Sequence, residues 1–402
     1  MEIYKIIKKI IMKLSDYAFN NIFVCTLIFL TFFKPLSCYY FPVINKIYNL
    51  MMFTSIILIS VCYIFFLIDK HKISKIQISI ICFSLVLLLS TAINSKDFGA
   101  WAKTYTKWMA ISFYTEMLIF YNKEILLKSI SYIMYSYIII NFIISIIIPN
   151  GIANPDGLTP VYFLGNDNTT TLMMTLGVMF IWFKDIYFHD KIDKMSIIPI
   201  VLLLMQYIKD WSVTSIMGTF MVVIYLVAIY KKNKKQKVLN YNFYMLAGII
   251  IFIMVVVFRV QNNFQEIFEN ILHKSITFTG RTQIWDRCFN QLNNNWLLGL
   301  GVEEFEKRLI KIEIFHAHCT YLNVMLEGGI IGFITYCMIF GIIGYKLKNV
   351  KNCELKNLVS YVFFIFSIVG LVEVYQDSQM LYIFIVISYY LDKIIESKKI
   401  KE

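Results

Sequence analysis

Apolar residues run along this chain in long blocks instead of alternating with polar ones. Blocks of about 17–25 apolar residues are long enough to cross a bilayer as helices. They fall at roughly 17–33, 47–68, 76–93, 105–120, 129–148, 169–183, 195–208, 211–230, 241–258, 321–345, 357–373 and 380–391. The pattern predicts an all-α polytopic membrane protein with about twelve transmembrane helices. Residues 1–14 differ: Ile3, Ile6, Ile7, Ile10, Ile11 and Leu14 share one helical face, with Lys5, Lys8, Lys9 and Lys13 between them. That is the pattern of an interfacial helix, and no cleavable signal peptide is evident.

Two connectors break the rhythm. Residues 149–168, "PNGIANPDGLTPVYFLGNDN", are rich in Gly, Pro, Asn and Asp and hold no basic residue. The stretch 259–320 is far longer, and a connector of that length is usually functional or disordered. Its patterning predicts order: Phe264, Ile267, Phe268, Ile271 and Leu272 fit one helical face, as do Ile284, Trp285, Cys288, Phe289 and Leu292. A third short helix carries Phe305, Leu309 and Ile312. The expected organisation is therefore 1–258 as an N-terminal bundle of nine spans, 259–320 as one large helical loop, and 321–402 as C-terminal spans and tail.

Composition agrees: 58% hydrophobic, 16% charged, mean hydropathy +0.65. The formal charge of +12 could suggest a nucleic-acid partner, but its placement excludes one. Lysines cluster in "DKHKISK", "KKNKKQKV" and "KLKNVKNCELK". These connectors fall on one side when both termini are cytoplasmic and 259–320 is external, as the positive-inside rule requires. The eight cysteines show no paired CxxC spacing and read as small apolar residues.

The chain has only four arginines, Arg259, Arg281, Arg287 and Arg308, all within the long loop, whose formal charge from 259 to 318 balances to zero. Individually placed guanidinium groups grip phosphate oxygens as a fixed fork, which lysine cannot do; surface pairing with Asp286, Glu303 or Glu304 is the plainer reading. Arg281 is the strongest candidate. "FTG" breaks the chain, Thr279 can cap a helix, and Arg281 then lies in the first turn, where free N–H groups and the helix dipole favour an anion. Arg287 lies about 240° further round, so one straight helix cannot aim both at one phosphate. Arg308 is expected in an exposed mixed-charge helix beside Glu304 and Glu306, where lysine would be tolerated.

The loop ends in "IFHAHCTYLNVMLEGGIIGF". Three readings of His316 and His318 are open: metal ligation, for which spacing offers no third ligand; a structural cap on the re-entering helix; and acid–base chemistry at the membrane surface. His71, His189 and His273 read as surface residues. If residue 318 begins the helix, His316 should point elsewhere. Glu327 lies on the opposite helical face from His318, and with Gly328, Gly329 and Gly332 suggests close packing or a bend. Glu116 is an intramembrane charge with no evident partner, and Lys107 could reach a headgroup.

The ordered series "GRTQIW", "LLGLGVEEF" and "HAHCTYLNVMLEGGIIG" resembles the loop signature of the O-antigen polymerase and O-antigen ligase superfamily. The resemblance implies a multi-span glycosyltransferase acting on undecaprenyl-pyrophosphate-linked glycans. Arg281 would hold the lipid pyrophosphate, supported by Arg259 or Arg287. Gly299 and Gly301 would form a tight turn, and His318 would be the histidine of an HN-type motif, with Cys319 where asparagine is usual. Further arginines usually come from an earlier external loop; here Lys103, Lys107, Lys209 or Arg259 would substitute.

Taken together, these readings lead to a Wzy-type surface-polysaccharide polymerase of a bacterial cytoplasmic membrane. His318 would be the general base and His316 and Glu327 would support it. No metal or cofactor is expected. The partners would be the lipid-linked oligosaccharide, the bilayer, and a flippase and chain-length regulator of the same route. Ligase-type transfer shares the same motifs. A transporter would show internal repeats and ionisable residues along the spans, and neither is evident.

Overall fold

A computed structural model describes residues 19–69, 71–95, 97–154, 159–230, 240–260, 280–314, 316–351 and 353–399. Each apolar block is a helix: α1 (Ile22–Phe32), α2 (Pro42–Ile68), α3 (Lys75–Asn94), α4 (Phe98–Tyr121), α5 (Lys123–Ile147), α6 (Asp167–His189), α7 (Ile198–Lys209), α8 (Val213–Ile224) and α9 (Tyr241–Phe252). The long loop carries α10 (Arg281–Asn295) and α11 (Phe305–Ile312). After it come α12 (Thr320–Asn349), α13 (Glu354–Val369), α14 (Gln379–Tyr389) and α15 (Leu391–Lys399). Among the described residues there is no strand, only an isolated bridge between Ala153 and Val161.

Polar residues set the helix starts. Asn21, Ser74, Asp97, Asn122, Asn166 and Asn240 each accept an N–H from the first turn of α1, α3, α4, α5, α6 and α9. Helices α2, α3, α5, α6 and α12 are long and apolar enough to cross a membrane, and shorter apolar helices fill in between them. The protein is a multi-pass all-α membrane protein.

The bundle is layered from lipid to core. Helix α2 leaves Val43, Leu50 and Leu58 exposed on the outside, as a lipid-facing helix must. Helix α6 is buried along most of its length and packs on α5, α8, α13 and α14. Glu116 is not alone in this interior: the Tyr63 hydroxyl donates to it at 2.8 Å and Tyr390 also hydrogen-bonds it. His71 stacks on Phe66.

A smaller second core joins the loop to the bundle. Trp285, Cys288 and Leu292 of α10 pack with Ala317 and Cys319, with Leu322 and Leu326 of α12, and with Leu371. Residues 261–279, which include the first amphipathic segment read from the sequence, Thr279 and His273, lie outside the described residues.

The glycine turn ties the loop down further. Helix α12 breaks at Gly329 (φ 59°, ψ −159°), and the loop backbone fills the gap. Leu300 and Gly301 donate to the Leu326 and Glu327 carbonyls at 2.6 and 3.1 Å, while Ile330 and Ile331 donate to Trp296 and Leu297 at 2.8 and 3.3 Å. Gly299 and Gly301 take φ of 70° and 81°, a region open chiefly to glycine. From α3, the Ser90 hydroxyl sits between the Leu298 and Glu327 carbonyls, and Thr91 accepts the Val302 N–H at 2.9 Å. The expected turn and bend are therefore two sides of one joint.

Candidate active site

The loop returns to the membrane through His316-Ala317-His318-Cys319, and α12 starts only at Thr320. The approach is non-helical, with His318 in the left-handed region. Ala317 and Cys319 are buried in the second core, and the two imidazoles lie together on the other side, ring centres 3.9 Å apart. This corrects the expectation that His316 points elsewhere, which assumed a helix from residue 318. The turn is tight: His318 has φ 44° and its N–H donates to His316 Nδ1 at 3.3 Å.

Both rings face a carboxylate that the sequence reading did not single out. Glu373 Oε1 lies 3.4 Å from His318 Nδ1 and 3.8 Å from His316 Nδ1, and Oε2 lies 3.5 Å from an Arg281 guanidinium nitrogen. The His318 approach lacks hydrogen-bond alignment, so it is an electrostatic contact. Helix α13 ends at Val369, which puts Glu373 in the turn before α14 instead of at the end of a span. That turn is held by Thr320, whose hydroxyl donates to the Glu373 carbonyl at 2.9 Å and accepts the Tyr375 N–H at 3.0 Å. An acid between two apolar runs was the only hint in the sequence, and nothing in the spacing linked it to residues 316–318.

Electrostatics follow from this crowding. Burial acts to raise the Glu373 carboxyl, but His318, His316 and Arg281 beside it outweigh burial and hold it below the ordinary glutamate range. Burial, and then the neighbouring His318, push His316 down to about 4 against the pull of Glu373. His316 is therefore neutral near pH 7.

Arg281 is the first residue of α10, after Gly280 at φ 85°. The other arginines take different places. Arg259 pairs with Asp286 at 2.7 Å, 4.9 Å above the Trp285 ring. Arg287 reaches Glu313 at 3.5 Å on the exposed side, away from the histidines. Arg308 is a correction: instead of a surface helix position it is 2% exposed and paired with Glu327 at 3.1 Å. Asn323 and Gln376 donate to the same carboxylate at 3.0 and 2.7 Å, and Tyr105 also donates. Glu327 thus holds the loop, α4, α12 and the turn carrying Glu373 in one buried polar cluster, without touching the histidines.

Of the lysines considered as substitutes, Lys103 pairs with Glu304 and Lys209 with Asp210. Lys107 lies near the half-buried Asp377, four residues beyond Glu373; desolvation raises the Asp377 carboxyl and Lys107 opposes this. Glu373 also supplies the third ligand type that spacing could not: its carboxylate and the two imidazoles lie close enough together to hold a metal ion. The Arg281 guanidinium on the same carboxylate disfavours a dication there. A cavity of about 540 Å³, lined by Ser131, Lys184, Asp193 and Ser196, lies at the opposite end of α6 and meets none of these residues.

Residues 196–337 match the family model described as O-antigen ligase. The match holds the four arginines, both glycines of the turn, His316, His318 and Glu327, and ends before Glu373. No curated protein matches the chain significantly. The segment 196–337, which carries the ordered loop motifs, is thus similar to the O-antigen ligase family, and the multi-pass helical fold agrees with that likeness.

Proposed function

We propose that this protein is a surface-polysaccharide polymerase that moves a growing glycan from undecaprenyl pyrophosphate onto a sugar hydroxyl of another lipid-linked repeat unit, outside the cytoplasmic membrane. The observation that carries this reading is a histidine pair and an arginine converging on one buried carboxylate at the loop–bundle junction. His318 Nδ1 faces Glu373, which leaves Nε2 to take the acceptor's proton. The new bond forms between the acceptor oxygen and the donor's anomeric carbon as the bond from that carbon to phosphate oxygen breaks. The electron pair leaves on the pyrophosphate, and Arg281 at the helix start stabilises it. Positioned base catalysis of this kind contributes roughly 10²–10⁴-fold. Guanidinium takes the part a metal plays elsewhere, so transfer should persist in excess EDTA.

A deletion strain tests the reaction class. Surface glycan reduced to single repeat units supports a polymerase; long lipid-linked chains left untransferred would mean a ligase, and internal lipid-linked units a flippase. In vitro, His318→Gln should abolish chain extension on lipid-linked units while the purified protein stays monodisperse. Extension at the wild-type rate would remove His318 from the reaction.

A further inference from the structure

Glu373 is 6% exposed, and its two oxygens have different neighbours. Oε1 accepts the Val374 N–H at 3.2 Å and faces both histidines. Oε2 meets Arg281 at 3.5 Å, longer than the roughly 2.7–2.9 Å of a tight charge-assisted hydrogen bond. One oxygen is therefore held by its own backbone, and the other makes a loose ion pair with the arginine assigned to pyrophosphate. The backbone beneath it is fixed by Thr320, so the carboxylate can give up one partner without leaving the site.

We propose that the Glu373 carboxylate is an internal stand-in for the donor's pyrophosphate, resting on Arg281 while the site is empty and displaced from it when the donor binds. A pyrophosphate carries more charge than one carboxylate and offers paired oxygens to the guanidinium fork, so it wins the exchange. Displacement leaves Glu373 to the histidines alone, so donor arrival orients His318 for the acceptor. Glu373 is a positioning residue acting through Arg281 and His318, and it lies outside the matched family segment. The inference rests on the reading that a lipid pyrophosphate binds at Arg281.

The test is affinity of the full-length protein in lipid nanodiscs for two probes, inorganic pyrophosphate and farnesyl pyrophosphate. Glu373→Gln should bind both roughly tenfold more tightly than wild type, while chain extension falls on the order of 10²-fold. A merely structural role would not tighten binding. The gain should vanish in Arg281→Gln/Glu373→Gln. Glu373→Asp keeps the charge but withdraws it by one methylene and should show a smaller gain, which serves if the Gln variant does not fold. Unchanged or weaker binding by a monodisperse variant, or a gain that survives loss of Arg281, overturns the proposal. A gain for inorganic pyrophosphate alone overturns the lipid-linked donor as its ligand. If the affinity order holds but no protein extends chains, the polymerase reading falls and the exchange on Arg281 stands.

Discussion

At Arg281 the difference between arginine and lysine is one of shape. Its guanidinium begins α10 beside Glu373. Lysine would keep the charge and lose the fork, so under the proposed function Arg281→Lys should cut chain extension by roughly tenfold at equal expression. Arg308 should respond differently from a surface residue. Its buried pair with Glu327 makes Arg308→Ala cost about 3–5 kcal/mol, because the carboxylate is left uncompensated, and thermal unfolding in detergent would register the loss. His316 gives a pH signature. Its folded value of about 4 lies below the ordinary 6.5 of an unfolded histidine, so between those values the unfolded chain takes up a proton that the folded one refuses. Stability is therefore full above about pH 6.5 and declines as pH falls towards 4, by at most about 3 kcal/mol. Glu373, held low by its neighbours, adds its own loss as pH falls through its lowered folded value. Melting curves from pH 7 to 4 should show a shallower decline for His316→Gln than for wild type. An equal slope would assign the acid sensitivity elsewhere.

The helices were legible because lipid demands long apolar runs whose backbone groups pair internally; α3, for example, falls within a residue of its apolar block. The second helix of the loop was equally plain from its apolar face, now buried at Trp285, Cys288 and Leu292, whereas the third helix leaves Leu309 exposed and buries Arg308 instead. Polar partnerships were not legible. Arg308 sits among acids in sequence yet reaches across to Glu327, and Glu373 meets the histidines from 55 residues beyond His318. Periodicity reports which face of a helix is buried but not which charge waits there. The glycine pair "EGG" hinted at a bend in α12, but not that the "GLG" turn fills it. A Cβ at Gly299 would lie 2.5 Å from the Leu326 carbonyl oxygen at a φ of 70°. Gly299→Ala should therefore cost at least about 1–3 kcal/mol, read as a drop in detergent melting temperature. A melting temperature equal to wild type would mean that the turn is not held against α12.

Orientation belongs to the whole molecule and rests on lysine placement. An impermeant thiol reagent applied to intact cells should mark a cysteine at Asn294, exposed on α10, and spare one at Asn233 in the lysine-rich connector. Labelling of the connector position would invert the arrangement and put the histidines on the wrong side for the donor of the proposed function.

The break at Gly329 bears on how such proteins can be recombined. Amides released by the interrupted helix are capped by carbonyls at 296 and 297, and amides of the turn return to carbonyls at 326 and 327, with Ser90 and Thr91 closing the third side. Residues 259–320 grafted onto another membrane scaffold would arrive with half a joint and leave the other half open. The transplantable unit is the loop together with α3 and α12, and chimaeras cut at the loop's own ends should misassemble before any question of sugar specificity arises.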